Sequence, residues 1–379
     1  MPRSRVLFLL ILGAAIVVVI GLQIFRSTQP ALPTATPRPP LEVEVAVNPL
    51  LYDWATEAAQ SFNARQIEIE GQPARVRVTS VDGIGVIRGN AGWSIANHPT
   101  AWIPEASFLI SYAAESNWRF SVENPSLAST YLVWGIFQDR LDVLTTASPT
   151  IDWALFQQSA PKSWSDLGGS ANWGFVKPAF PRPSQSLVGF AVMLSGSAAF
   201  HQKETLSDAD LTNSAFQKWL QPVVDAVPSF ATLGIQPGSV IGARGASVAD
   251  FALLPESEFV QHYSAINTKG QFRFFYPAYT FKFDFPVVIW DSANLTAAQR
   301  GAVSQFVNAL TQTDAQQRLL AKGFRPAKVA LTTANAPQFG ALVNAGLTLE
   351  APKSLLVQPA SRSSGLSLLT WFDGFRSRP

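Results

Sequence analysis

The sequence predicts an α/β protein with mostly parallel sheets, and three observations carry that expectation. Residues 42–47 alternate polar and apolar side chains as a strand does, and run straight into Asn48-Pro49, an N-cap followed by proline at the first helical position. A second alternating strand, 74–78, comes one helix later, a spacing that suits a parallel crossover. Far along the chain, 285–290 (Phe-Pro-Val-Val-Ile-Trp) is the short β-branched run that a buried strand requires, and capped helices follow it.

The first element is apolar. Arg3 and Arg5 precede an uncharged run over 6–25, long enough at ~1.5 Å per residue to cross the ~30 Å hydrocarbon core once. The positive flank places the N-terminus in the cytoplasm and everything after Arg26 outside. A cleaved signal peptide is the rival, but its apolar stretch is usually ~7–15 residues, and Ser27-Thr28-Gln29 makes a poor cleavage site. Residues 1–28 therefore read as an uncleaved signal anchor, a single-pass transmembrane helix. Residues 29–40 (QPALPTATPRPP) form a semi-rigid, solvated linker that holds the rest off the membrane.

What remains, about 340 residues, is ample for two lobes. The chain has no cysteine, which excludes a lipid-modified N-terminal cysteine, disulfides and thiolate metal sites. Its net charge is only +2 and no Lys/Arg cluster interleaves with aromatics, so nucleic acid is not expected as a partner.

After Asn48, the residues Leu51, Trp54, Ala55, Ala58 and Phe62 line one helical face. The 74–78 strand ends in the polar turn Thr79-Ser80-Val81-Asp82-Gly83, and a third strand carries the segment from Thr100 to Ser107. Ligands of open α/β sheets sit beyond the carboxyl ends of the strands, where these turns fall. In the closing segment, Thr296-Ala297-Ala298-Gln299 has capping-box spacing, and Val303, Phe306, Val307 and Leu310 recur at i, i+3, i+4 and i+7. A second box, Thr313-Asp314-Ala315-Gln316, opens another helix. Gly323 sits where a left-handed C-terminal cap is wanted, and Phe324-Arg325-Pro326 leaves extended.

This closing segment resembles that of bacterial extracellular solute-binding proteins of the type 2 periplasmic fold, in which a Gln-bearing helix precedes "GfRPa". The resemblance continues upstream. Ala101-Trp102-Ile103-Pro104-Glu105-Ala106-Ser107-Phe108 is similar to the family's "pDvWlPdsS-W", with Thr100 in place of Asp. The 129–134 segment resembles the "SPlVla" crossing strand, with Thr130 for the usual Pro. Pro183-Ser184-Gln185-Ser186-Leu187-Val188-Gly189 resembles "P--S-tG", and Ala249 to Glu256 resembles "aD-a-vyE", whose Glu meets the cleft. Together the pieces cover most of 43–327.

The resemblance implies a two-lobed fold with two hinge crossings, near 131–138 and 276–286. One lobe is then 41–137 plus 276–330, the other 138–275, with a tail at 331–379. Residues 349–352 and 369–372 resemble the linker that leads, in some relatives, to a von Willebrand factor A domain. None follows, so the adhesion or chaperone-like role of that fusion is not expected.

The candidate ligand-binding residues are Asn48, Ser80, Asp82, Glu105, Ser107, Thr130, Ser184, Ser186 and Glu256. Asn48, Ser184 and Ser186 stand at helix N-termini, where free N–H groups favour an anionic or hydrogen-bonding ligand, or where they only cap their helices. Asp82, Glu105 and Glu256 suit a cation, an amine or a polyhydroxylated ligand if all face the cleft; each could equally be a solvated surface group. Of eleven Trp, most, such as Trp54, Trp134 and Trp219, sit at core-like spacing, and Trp93 and Trp102 are the better candidates for stacking on a sugar. His98, His201 and His262 lack ligand spacing, and no metal or cofactor is expected. Ser159-x-x-Lys162 lacks partner motifs and reads as chance.

The sequence thus leads to the expectation of a monomeric, membrane-tethered, extracytoplasmic solute-binding protein that closes on a small ligand and delivers it to an ABC permease. The alternative is a surface enzyme or a non-transport scaffold or sensor that keeps the fold. No nucleophile–base–orienter set is present, so an enzyme is not expected.

Overall fold

The computed structural model describes residues 12–23, 39–148 and 150–376. It divides into two units, Met1–Pro39 and Pro40–Pro379. In the first, residues 12–23 are helical, and the rest of the expected anchor and most of the linker lie outside the described residues. Among the described residues no helix is long and apolar enough to cross a membrane.

In the second unit, one six-stranded sheet has the order Glu68–Ile69, Gln72–Ser80, Leu41–Val47, Ala101–Ile103, Val287–Trp290, Phe120–Asn124. Leu41–Val47 is parallel to both neighbours, with Val45 opposite Val78 on one side and Ala101 on the other. Val287–Trp290 arrives from far along the chain and runs antiparallel to both of its own neighbours. Strict alternation predicts one buried face, yet Val45, Ala46 and Val47 are all buried, so both faces of that strand end are covered.

The helix Tyr52–Ala64 turns Trp54, Ala55, Ala58 and Phe62 inward, as its apolar stripe requires. Trp54 Nε1 donates to the Ala315 carbonyl at 2.9 Å, and Phe62 meets Phe306 edge-on at 5.6 Å. These contacts fasten it to the closing helices Ala297–Leu310 and Thr313–Ala321.

The Thr296/Gln299 capping box forms. The Thr313/Gln316 box does not: Gln312 is the N-cap, without a side-chain bond. Gln316 is instead buried, donating to the Leu310 carbonyl at 3.0 Å and accepting from Lys328 N–H at 3.2 Å. An orphan carbonyl at the end of the preceding helix is a stronger claim on a buried amide than a solvated cap. Gly323 has φ of 78°, and a Cβ there would lie 2.6 Å from Val260 Cβ, so both backbone hand and space demand glycine.

The first sheet with the helices packed on it forms the first lobe, and a second sheet with its helices forms the second. The strand Ala128–Phe137 is the spine of that second sheet. Along its ten residues it pairs antiparallel with Arg325–Pro326, Lys282–Phe283, Phe251–Pro255 and Phe272–Phe275. With Pro178–Ala179 beyond Phe251–Pro255, these make the second sheet. Gly135 is obligatory here, because a Cβ would fall 2.2 Å from the Phe272 ring. Trp134 packs among Trp153, Phe156 and Phe251. The helix Leu187–His201 is buried along twelve consecutive residues and apolar all round, as a core helix must be.

Past Ala327 the chain returns to the body. It forms the helix Pro337–Val343, pairs Leu355–Leu356 in parallel with Tyr279–Thr280, and ends in the helix Arg362–Arg376.

Candidate functional site

The carboxyl ends of the first sheet's strands and the N-terminus of Leu187–His201 face each other. On the first lobe, Asp82 leaves Gln72–Ser80 in extended backbone and caps the short helix Gly83–Arg88, its Oδ1 accepting Ile84 N–H at 2.8 Å. The same Oδ1 accepts the N–H of Leu187 from the other lobe at 2.9 Å. Burial pushes the Asp82 carboxyl up to about 6, with these two N–H groups pulling the other way. Glu105, fully buried, accepts Gly83 N–H at 3.1 Å through Oε1, while its Oε2 has no partner. Burial first, and then the neighbouring charge of Asp82, hold Glu105 well above its ordinary value. Ser80 is exposed at its strand end. Ser107 donates to Asp284 from both N–H (2.8 Å) and Oγ (2.9 Å), fastening that turn to the segment that leads into Val287–Trp290.

On the second lobe, Ser186 caps Leu187–His201, its Oγ accepting Val188 N–H at 3.2 Å. Ser184 Oγ accepts from Arg182 Nε at 3.0 Å. A Cβ on Gly189 would lie 2.2 Å from the Pro181 carbonyl oxygen, so the Pro-x-Pro loop lies flat on the first helical turn.

Three candidates have their side chains committed to the frame. Asn48 is buried, accepting Leu51 N–H at 3.1 Å and donating to the Ile103 carbonyl at 3.0 Å. Thr130 is buried and accepts Ser257 N–H at 3.1 Å. Glu256, expected in the cleft, is buried and bidentate with Arg325: Nε to Oε2 at 2.9 Å and Nη2 to Oε1 at 2.6 Å, with Tyr276 O–H donating as well. Arg325 also binds the carbonyls of Thr348, Leu349 and Glu350. A buried carboxylate is tolerable only when so paired, and the arginine of Gly-Phe-Arg-Pro supplies the pair. Trp102 is likewise buried, inside a cluster of Trp93, Phe120 and Trp290 rather than on a binding face.

The C-terminal helix Arg362–Arg376 was absent from the candidate list, yet it touches both lobes here. Asp373 lies 2.5 Å from Arg88 of the first lobe and 3.6 Å from Arg182 of the second. Burial raises the Asp373 carboxyl, but hydrogen bonds from Arg88 and Ser184 and the charges of both arginines outweigh it, so it stays below the ordinary value. Arg182 stood one residue from the "P--S" resemblance, and that was the only signal available for it.

A cavity of about 1030 Å³ opens elsewhere, on the second lobe, lined by Arg140, Trp173, Phe175, Lys177 and Lys218 among others. It contains none of the candidate residues.

No family model matches the chain, and no curated protein matches it. Solved structures do. The maltose/maltodextrin-binding domain of Bdellovibrio bacteriovorus, bound to maltotriose, superposes with a TM-score of 0.61 at 11% identity, over 89% of this chain and 94% of its own. A periplasmic thiamin binding protein gives 0.59 at 10% identity, over 89% and 97%. A periplasmic binding protein from Actinobacillus pleuropneumoniae with fructose-6-phosphate bound gives 0.54 at 12%, over 90% and 100%. Identities this low establish the fold, the two-lobed α/β fold of periplasmic binding proteins, and leave the ligand open.

Proposed function

We propose that the protein is an extracytoplasmic solute-binding protein of the ABC-importer type, tethered by its N-terminal segment, that takes a small ligand between its lobes. One lobe is 41–137 plus 276–330, the other is 138–275, and the tail is 331–379. The observation that carries the reading is the convergence of Asp82, Glu105 and the N-terminus of Leu187–His201 across one interface. All are polar and come from a strand's carboxyl end or a helix N-terminus, Asp82 and Glu105 on one wall and the helix N-terminus on the other. The ligand contacts proposed are Ser80, Asp82, Glu105, Ser107, Ser184 and Ser186, with Asn48, Thr130 and Glu256 holding the walls that carry them.

A second reading has its own observation. The Asp82–Leu187 bond joins the two walls directly, side chain to backbone, which favours a scaffold or sensor that stays closed. Native mass spectrometry of the protein purified from its own cells separates the two. A co-purifying small molecule, lost or weakened in Ser184→Ala, supports capture. A ligand-free protein that takes up nothing from a broad solute panel supports the scaffold.

A further inference from the structure

The helix Arg362–Arg376 has one buried stripe, Ser364, Gly365, Leu368, Leu369 and Phe372, at helical spacing. That stripe does not rest on a single lobe. Gly365 faces Phe190 of the second lobe and Tyr112 of the first, where a Cβ would lie 3.2 and 3.7 Å away. Phe372 meets Phe230 of the second lobe at 5.6 Å. Polar contacts repeat the pattern: Tyr112 O–H donates to the Ala360 carbonyl, and Ser361 donates to Asp208 at 2.7 Å from Oγ and 3.0 Å from N–H. Toward its far end, Asp373 bridges Arg88 and Arg182.

A rigid helix fixed to both walls opposes hinge opening, because the lobes cannot part unless one set of these contacts breaks. The bridge at Asp373 is also chemically specific. Two guanidinium groups from opposite lobes converge on one carboxylate, with Arg88 Nε buried and still without a partner. Paired guanidiniums of this kind suit a carboxylate or phosphate group.

We propose that the C-terminal helix is a latch in cis: it holds the lobes closed, with Asp373 occupying an anion seat formed by Arg88 and Arg182. An anionic ligand group competes for that seat, and admission of the ligand is coupled to release of the helix. This deepens the solute-binding reading and rests on it for the ligand, although the latch itself does not.

The coupling is reciprocal, so weakening the latch must strengthen binding of the competing anion. The absence of cysteine makes the test clean. In the full chain, Gln60→Cys and Lys218→Cys carry spin labels on the two lobes, and inorganic phosphate is the probe. In the parent the interlobe distance distribution is single and short, and hydrogen exchange over 362–376 is slow. Asp373→Asn moves the distribution to longer distances, speeds exchange over 362–376, and binds phosphate about tenfold more tightly. Adding Arg88→Gln to Asp373→Asn abolishes that gain. Asp208→Asn, a surface change that spares the arginines, speeds exchange over the same helix. An unchanged distance distribution in a folded Asp373→Asn protein overturns the latch. Opening without tighter phosphate binding overturns the anion seat. If Asp373→Asn opens while neither protein takes up any solute, the latch stands and the solute-binding reading falls.

Discussion

Asp82 of the first lobe and Leu187 of the second share a single hydrogen bond of 2.9 Å, and the oxygen that makes it also accepts Ile84 N–H at 2.8 Å. One carboxylate oxygen thus serves two helix N-termini that belong to opposite walls. Helix N-termini attract anions through their free N–H groups and their dipole, so the side chain occupies a place suited to an anionic ligand group.

Replacing Asp82 with Ala removes a helix cap and the interlobe bond together. Loss of a cap costs typically ~1 kcal/mol, and the interlobe term adds to it. Chemical denaturation of Asp82→Ala should show a loss of roughly 1–3 kcal/mol. Asp82→Asn keeps an accepting oxygen and sheds the buried charge, so its loss should be smaller. Equal losses for the two variants would contradict the cap as described.

The Asp82 and Glu105 carboxyls titrate above their ordinary values, Asp82 at about 6. The folded chain therefore holds protons that the unfolded chain has released. Stability contributed by the protonated pair is present below the ordinary carboxylate range and is lost as pH rises through the raised values, about 6 for Asp82. A denaturation series from pH 4 to 7 should show this decline. Glu105→Gln should flatten it, since an amide cannot ionise and still accepts Gly83 N–H.

Glu258 gives a second, separable slope. It is buried, accepts Gly238 N–H at 2.7 Å through Oε1, and leaves Oε2 without a partner; burial pushes it up to about 8. The folded chain keeps this proton up to about 8, so the stability it contributes is present below the ordinary value of 4.5 and is lost as pH rises from there toward 8, by an amount on the order of several kcal/mol. Glu258→Gln keeps the acceptor and removes the titration. The variant should melt higher than the parent at pH 8 and close to it at pH 5; a lower melting temperature at pH 8 speaks against a neutral Glu258.

Arg325 holds Glu256, Tyr276 and three tail carbonyls from one guanidinium. Arg325→Lys retains the charge but cannot reproduce the planar, bidentate fork. Breaking a buried pair costs about 3–5 kcal/mol when one partner is left uncompensated. Arg325→Met should approach that loss in calorimetry and Arg325→Lys should recover only part of it. A Lys variant as stable as the parent would mean that the pair is held by charge alone.

Gly189 sits in a helix, where alanine is ordinarily favoured by about 1 kcal/mol. Here the built Cβ lies 2.2 Å from a backbone carbonyl oxygen of Pro181, which cannot rotate away as a side chain would. Overpacking of this kind costs ~1–3 kcal/mol, more than propensity returns. Gly189→Ala should destabilise the chain and displace the Pro181–Ser184 loop, visible as chemical-shift changes at Ser184 and Ser186.

Much of the frame was legible in local pattern. The Tyr52–Ala64 stripe, the Thr296–Gln299 box and the Gly323 turn depend on residues a few positions apart. The candidate site was legible only in part. The turns at Asp82, Glu105 and Ser186 were visible because strand ends and helix starts carry their own residue signatures. The burial of Asn48, Thr130 and Glu256 was not visible, because nothing local distinguishes a polar side chain that faces water from one sealed into the frame.

The sequence by itself determined an α/β chain free of cysteine, and which stretches become its main strands and helices, because backbone propensity and apolar periodicity act over single turns and strands. The helix expected to open at Pro49 opens at Tyr52, since Asn48 caps a turn instead. The tertiary structure alone decided which polar groups remain available. Asp82 finds its interlobe partner 105 residues away, Glu256 its arginine 69 away, and Arg88 its carboxylate 285 away. A buried charge must be paired, but which of many complementary groups pairs with it is set only when the two lobes and the tail helix come together.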